Sequence, residues 1–514
     1  MGNAVSIAKH PYEEIELGDK SLPQFDKASG TRTACIIGLV FSACVGIACI
    51  VVGAVVAKGS DRLIHITPVA HVLIPFLINF GFVLPVTESL SYVHMVCLRW
   101  NLLHESRLEF NANLRLLTFS KTNPANGLLA NILFSLAIAF CYAASSMIFV
   151  QNTYEFHKTA GSTKFYEASS VTSFTKVPPI ALGVAILVLC VLSTWSLLTS
   201  KILTWSSNPL NTLAAAISKG AIIHRDGRAM MSVHHRKQTS APVRPSPLQR
   251  PPIAANSMVP KILFGTIGVL FALIAWMGIM IGVGYHNKNG MSWNIIPTAT
   301  INGANSLDNL ANQTMTVYLQ WFTTENPGIG PNIIHEPMMA GVLVFTVAIQ
   351  SILTIGLHTA ELQITLLRDE DVWREMTSKG GSVRLDKYNS YFQPLLSWQN
   401  VVLLIFKPAI HWMFGSAMGV DYAAGILMRV PHVTYLAILW VLFLLFMLQV
   451  SYTKPKGPLP ASYGHLQTMA NIIDEWAPRM YWGDKGELPE SGELRHAGTK
   501  NTPLPMVERD SLYQ

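Results

Sequence analysis

The stretch Thr33–Ala57, TACIIGLVFSACVGIACIVVGAVVA, runs for 25 residues without a charged side chain. A helix crossing a bilayer needs roughly 20 mostly apolar residues, because its backbone N–H and C=O groups must satisfy one another once water is gone. Thr33–Ala57 meets that length. Its apolar residues form an unbroken block rather than the one-sided stripe of a helix packed against a water-facing core.

Similar blocks follow at Ile66–Thr87, Leu128–Val150, Val177–Leu198, Ile262–Tyr285, Ala340–Leu357, Val401–Val420 and Thr434–Ser451. The expected fold is therefore all-α: a polytopic helical membrane protein of about eight transmembrane helices. Val401–Val420 and Thr434–Ser451 admit a re-entrant hairpin as an alternative, since their connection is short and Lys407-Pro408 interrupts the first. Their length favours two full crossings.

Composition agrees. Of 514 residues only 13% are charged and 50% are hydrophobic, against about 25% charged in soluble domains; the mean hydropathy is +0.34. Lys and Arg gather on the cytosolic side of membrane proteins. With the N-terminus inside, about 29 of the 37 Lys and Arg residues fall on inner segments, which sets both termini in the cytosol. The net charge of +7 then needs no nucleic acid, because a basic inner face lies opposite anionic lipid.

The expected organisation is a cytosolic N-terminal tail (1–32), helices one to four (33–200), a basic Pro/Ser-rich cytosolic loop (201–261), helices five to eight (262–451) with an outer loop at 286–338, and a cytosolic C-terminal tail (452–514). The first block is too long for a signal-peptide core, so it reads as an uncleaved anchor. The sequon Asn312-Gln313-Thr314 lies in the outer loop and makes Asn312 an N-glycosylation candidate. All six cysteines lie in or at the ends of spans, so no disulfide is expected. Met1-Gly2-Asn3-Ala4-Val5-Ser6 fits the pattern for myristoylation of Gly2.

Within the inner loop, His224–Pro252 is rich in Arg, Ser, Pro and Gln and poor in large apolar residues, a composition expected to stay disordered. It could bind anionic lipid or a cytosolic protein, or serve as a solvated linker. His234-His235 lacks a second ligand pair at metal spacing, and no metal or cofactor is expected. In the tail, Leu466, Met469, Ile473 and Trp476 recur at helical spacing, so an amphipathic helix is expected on the membrane surface or against the inner helix ends. Beyond Gly486 the composition suggests disorder.

Ionisable groups at membrane depth cost several kcal/mol, so each is a candidate site. The candidates are Glu88, His71, Lys407, His411 and Glu361, with His94, His358 and Asp421 beside them. Glu88 and Lys407 have opposite charge and both belong to the inner half, where a buried ion pair between them is expected to be structural. Gly38/Ser42/Gly46 and Gly278/Gly282 would let helix backbones approach closely. Two inner-face clusters, Arg99/Glu105/Arg107/Glu109/Arg115 and Glu361/Arg368/Asp369/Glu370, could interlock as a salt-bridged collar.

Cys97-Leu-Arg-Trp100, Glu105–Asn111, Asn113-Leu-Arg115, His358-Thr-Ala-Glu361, Arg368-Asp-Glu370 with Trp373, Phe406-Lys-Pro408 with His411-Trp412, Gly464–Thr468, Asp474-Glu-Trp476 and Trp482–Gly486 carry a resemblance. In these segments the chain resembles a family of uncharacterised multi-pass membrane proteins of filamentous fungi. The resemblance implies the same topology and adds no reaction or cargo.

The chain has no P-loop, H-E-x-x-H, G-x-S-x-G, C-x-x-C or Rossmann fingerprint, and no enzyme is expected. The favoured reading is a non-catalytic scaffold, sensor or pathway accessory in a membrane, the plasma membrane before an internal one. The alternative is a small-molecule or ion transporter or channel. That alternative predicts a polar cavity reaching the bilayer midplane and lined by Glu88, His71 or Lys407, and a bundle packed dry at the centre would remove it; a scaffold predicts cytosolic partners retained by His224–Pro252 or the tail.

Overall fold

A computed structural model describes residues 23–57, 62–64, 67–160, 163–286, 293, 316–319, 336–379, 381–383, 397–421, 425–488 and 493–514. Asn312 and Gly2 lie outside these residues. Among the described residues eight helices are long and apolar enough to cross a membrane, and the chain is a polytopic all-α membrane protein. The last two are full-length helices of 20 and 23 residues, as two crossings require.

The spans are α1 (Ser29–Ala57), α2 and α3 (Pro68–Ile78 and Leu84–His104), α4 (Leu128–Ser146) and α5 (Val177–Thr199). After the short α6 (Pro209–Ser218) and α7 (Pro252–Ala255) come α8 (Met258–His286), α9 (Glu336–Thr359) running into α10 (Glu361–Arg374), then α11 (Trp398–Ala417), α12 (Val430–Tyr452) and the short α13 (Leu466–Ile472). Their starts follow from sequence. Thr67 Oγ1 accepts the Ala70 N–H just before Pro68, Asn208 Oδ1 accepts the Leu210 N–H before Pro209, and α5 and α12 carry Pro in their first turns, where a missing N–H costs nothing.

The second span is one run from α2 to α3, joined by a π-helical turn at Asn79–Val83. Pro75 and Pro85 flank that turn and each withholds a backbone donor, which accounts for the local widening. Asn79 is buried there, and its Oδ1 accepts a hydrogen bond from Ser145 Oγ of α4 at 2.6 Å. The run continues past the apolar block to His104, with Leu90, Val93, Val96 and Trp100 buried.

Close packing separates the two small-residue stripes. A Cβ on Gly46 would stand 3.2 Å from the Gly183 carbonyl oxygen of α5, and a Cβ on Gly38 would overlap Ser89. Gly278 and Gly282 of α8 face open space instead.

The sequence reading assigns no strands, yet strands cap both ends of the bundle. On the outer side β1 (Arg62–Ile64), β2 (Phe149–Ala160), β3 (Thr163–Phe174), β4 (Thr316–Leu319), β6 (Met418–Asp421) and β7 (Gly425–Arg429) form one sheet in the order β1-β3-β2-β6-β7-β4. Each of the four outer connections contributes to it. On the inner side β5 (Ser382–Val383), β8 (Arg479–Glu487), β9 (Leu494–Lys500) and β10 (Leu512–Tyr513) make a second sheet in the order β10-β9-β8-β5.

Three expectations for the inner side are corrected. Segment His224–Pro252 is ordered, with Met230, Met231 and Val233 buried and its backbone paired to the C-terminal tail at Val243–Tyr513 and Leu248–Lys456. The tail beyond Gly486 is not a disordered end, since β9 and β10 complete the sheet. The helix expected through Leu466, Met469, Ile473 and Trp476 ends at Ile472 after seven residues; of its two expected positions it takes the one against the inner helix ends, with Leu466, Met469, Ala470 and Ile472 buried in a core shared with Val96 and Trp100. The physical reason is common to all three. Segments 224–252 and 466–472 meet partners more than two hundred residues away, and the β8–β9–β10 strands, which pair with their sequence neighbours, are tied at Tyr513 to the distant Val243; local composition does not register a partner supplied from elsewhere.

A second hydrophobic core, around Trp100, Trp205, Trp373, Leu459, Met469 and Tyr513, holds this inner module together. Residues before α1 join it: Thr204 Oγ1 donates to the Asp26 carbonyl at 2.5 Å, and Ala28 is buried. The segments flanking the first and last spans therefore lie on one side.

Candidate functional site

Lys407 is the tenth residue of the twenty-residue α11, which at 1.5 Å per residue sets it about 14 Å from either helix end. Its side chain is 1% exposed, and Nζ donates to Glu88 Oε1 at 2.6 Å. The same ammonium contacts Glu361, the first residue of α10. Arg115, from the connection that returns beneath α3, closes the arrangement on Glu361 and on Glu88 Oε2 at 3.2 Å. Two carboxylates and two cations thus form a ring in which every charge has two partners of opposite sign. Burial by itself would lower the Arg115 pKa, but Glu361 and Glu88 outweigh that effect and raise it above its ordinary value.

A polar file continues from this quartet toward the outer side. His358 Nδ1 is 3.2 Å from Glu361 Oε1. One turn beyond Lys407, His411 stacks on Tyr142 with ring centroids 3.8 Å apart, and Gln350 Nε2 donates to its Nδ1 at 3.0 Å. Tyr142 in turn meets Thr87 of α3 at 3.3 Å. Gln350, His358 and His411 are fully buried, and Gln350 Oε1 and His411 Nε2 have no protein partner. Buried polar atoms of this kind mark sites that water or a ligand completes.

The quartet forms one wall of a cavity of about 380 Å³, within the about 300–1,000 Å³ typical of small-molecule sites. Leu84, Pro85 and Met95 of α3 and Leu403 and Leu404 of α11 supply an apolar wall. Arg99, Arg368, Asn113 and Ser207 line the end formed by the inner connections.

Of the sequence candidates, the structure brings Glu88, Lys407 and Glu361 together and puts His411 one turn away. His71 is apart: it lines a separate outer pocket of about 40 Å³ with Trp412, Ser146 and Arg429. His94 does not meet Glu88 and donates from Nε2 to Asn131 Oδ1 at 2.6 Å. The anticipated collar is reduced to a single link between its two clusters among the described residues, Arg115–Glu361. Asp369 and Glu370 instead dock the C-terminal tail, with Glu370 Oε2 accepting the N–H groups of Ser462 and Tyr463 at 2.9 and 2.7 Å. Gly464 sits against Asp369 at φ +72°, where a Cβ would come within 2.7 Å of the carboxylate.

Arg115, Gln350 and Tyr142 were missed as members of the site. One signal was available: Gln350, Thr354, His358 and Glu361 follow at intervals of four, four and three, which puts them on one helix face.

Glu88, His358 and Glu361 each offer a ligand atom, all within 4.8 Å of one another, a grouping able to hold a metal ion. Lys407 and Arg115 already lie on both carboxylates, and two fixed cations oppose the entry of a third positive charge.

No known protein family, curated protein or solved structure matches the chain.

Proposed function

We propose that the protein is a transporter for a small solute, binding it in the cavity bounded by Glu88, Lys407, Glu361 and Arg115. One observation carries this reading over the scaffold reading. The bundle is not packed dry at its charged centre but holds a cavity of about 380 Å³ lined by Glu88 and Lys407. Intramembrane charges are costly, and those that face a cavity are candidate parts of a solute or ion pathway. The buried polar file through His358, His411, Gln350 and Tyr142 supports the reading further, because it extends the charged wall toward the outer side along α9, α4 and α11.

The test is two-sided access. Leu404→Cys places a thiol on the cavity wall. In oriented proteoliposomes a membrane-impermeant thiol reagent, read by peptide mass spectrometry, is expected to label Cys at 404 from the inner side and, at a slower rate, from the outer side. Labelling from the inner side alone would leave a blind pocket and remove the transporter reading.

A further inference from the structure

The charges around the cavity do not cancel. Its lining carries four cations, Arg99, Arg115, Arg368 and Lys407, against the two carboxylates Glu88 and Glu361. The quartet described above is neutral by itself. Arg368 is matched by Asp369 at 2.9 Å, and that carboxylate also accepts from Asn111 Nδ2 at 2.8 Å. Arg99 remains. It is 1% exposed, its guanidinium donates to two neutral oxygens, Ser206 O at 2.9 Å and Thr212 Oγ1 at 3.4 Å, and its buried Nε has no partner. Among the described residues no carboxylate lies within ion-pair distance of it; Asp369, already engaged by Arg368 and Asn111, attracts it from farther off, through the Thr212–Asn111 bridge.

A buried guanidinium held only by neutral acceptors is stabilised when an anion joins it. Its planar fork suits the paired oxygens of a carboxylate or phosphate. Beside the polar side chains Ser89, Tyr92, Asn113, Thr365 and Asn400, the wall has an apolar part formed by Leu84, Pro85, Met95, Leu403 and Leu404, which offer nothing to an inorganic ion. They favour an apolar body of matching length.

We infer that the cavity takes an amphiphilic anion, an oxyacid head at Arg99 on an apolar chain that lies along Leu84, Met95, Leu403 and Leu404. The inference rests on the transporter reading of the same cavity and names its substrate class. The head group comes either from a soluble carboxylate or from a phosphate-bearing lipid, and both present the same chemistry to Arg99.

The experiment uses the full chain purified in a neutral maltoside detergent, with decanoate, decyltrimethylammonium and lysophosphatidate as probes. Decanoate is expected to bind saturably and at least about tenfold more tightly than decyltrimethylammonium, which has the same chain and the opposite charge. Arg99→Gln is expected to abolish that preference and Arg99→Lys to retain it. The exposed control Lys454→Gln should leave it unchanged. Displacement of bound decanoate by lysophosphatidate supports the anion site and assigns the lipid source; displacement by short soluble carboxylates alone supports it and assigns the cytosolic source.

Equal affinity for the two ten-carbon probes in the unaltered protein overturns the inference. So does a folded Arg99→Gln protein with undiminished preference. Where Arg99→Gln fails to fold, Leu404→Trp fills the apolar wall and keeps every charge; it should eliminate decanoate binding, and unaltered binding overturns the inference. The two readings fail separately. Two-sided labelling at position 404 without anion preference removes only the substrate class, and anion preference without outer labelling removes only transport.

Discussion

Lys407 Nζ donates to Glu88 Oε1 at 2.6 Å across 319 residues of sequence, and Glu361 and Arg115 complete a ring around the pair. Removing one member of a buried ion pair leaves its partner uncompensated, at a cost of about 3–5 kcal/mol. Lys407→Met leaves two adjacent carboxylates with Arg115 as their one cation, so it should approach that figure. Glu88→Gln should cost less, because the Glu88 side chain is 25% exposed and Lys407 keeps Glu361. Thermal unfolding of the two variants in detergent checks the order; a Glu88→Gln protein less stable than Lys407→Met would contradict the geometry.

The inner sheet carries a pH-sensitive contact outside the membrane. His496 Nε2 meets Asp474 Oδ2 at 3.0 Å, and Lys485 Nζ donates to the same oxygen at 2.7 Å. The hydrogen bond to Asp474 raises the His496 pKa, against burial and the nearby Lys485 charge. Burial would raise the Asp474 pKa, but its bonds to His496, Lys485 and the Thr499 N–H outweigh it and hold the carboxyl well below its usual range. A raised histidine stabilises fully below its unfolded value near 6.5 and loses that contribution as pH rises through the folded value. A depressed carboxyl stabilises above its unfolded value and loses the contribution as pH falls through the folded one. Hydrogen exchange of β9 in the unaltered protein and in His496→Gln should therefore differ most near pH 6. The difference should shrink as pH rises beyond the raised His496 pKa, and a difference that grows with alkalinity would refute the linkage.

Tyr513 is fully buried, pairs through its backbone with Val243, and accepts the Glu508 N–H at its hydroxyl at 2.9 Å. Truncating a buried aromatic costs about 3–5 kcal/mol. Tyr513→Ala should loosen the pairing of 224–252 with the tail and expose the half-buried Arg228 and Arg236 to trypsin. Unchanged cleavage at both sites would mean the segment holds without the tail.

Gly183 of α5 lies so close to α1 that a Cβ would overlap the Gly46 carbonyl, whereas Gly278 of α8 has open space before it. Overpacking a tight contact costs about 1–3 kcal/mol. Gly183→Leu should lower the melting temperature measurably and Gly278→Leu should not. Equal effects would show that the α1–α5 approach is looser than its geometry.

The eight spans were legible because the bilayer imposes length and composition locally: Thr33–Ala57 crosses by itself whatever its neighbours are. The Glu88–Lys407 contact was legible as a suspicion, since opposite charges in two apolar runs at similar depth have few other ways to lower their cost. The cavity beside it was not. It depends on Arg115 returning under α3 and on α10 starting where α9 ends, both outcomes of packing among distant segments.

The inner module shows the same division more sharply. By itself the sequence determined a polytopic helical membrane protein, because each span satisfies its own backbone hydrogen bonds and needs no partner to be recognised. Tertiary structure decided that the basic segment 224–252 and the polar tail form an ordered unit, and that Lys407 and Arg115 share Glu88 and Glu361 at a cavity whose wall also carries Arg99 and Arg368. Order there comes from burying Val233, Met469 and Tyr513 in a common core, and the excess charge comes from which side chains that fold brings to one wall. Neither is a property of any stretch of sequence taken alone.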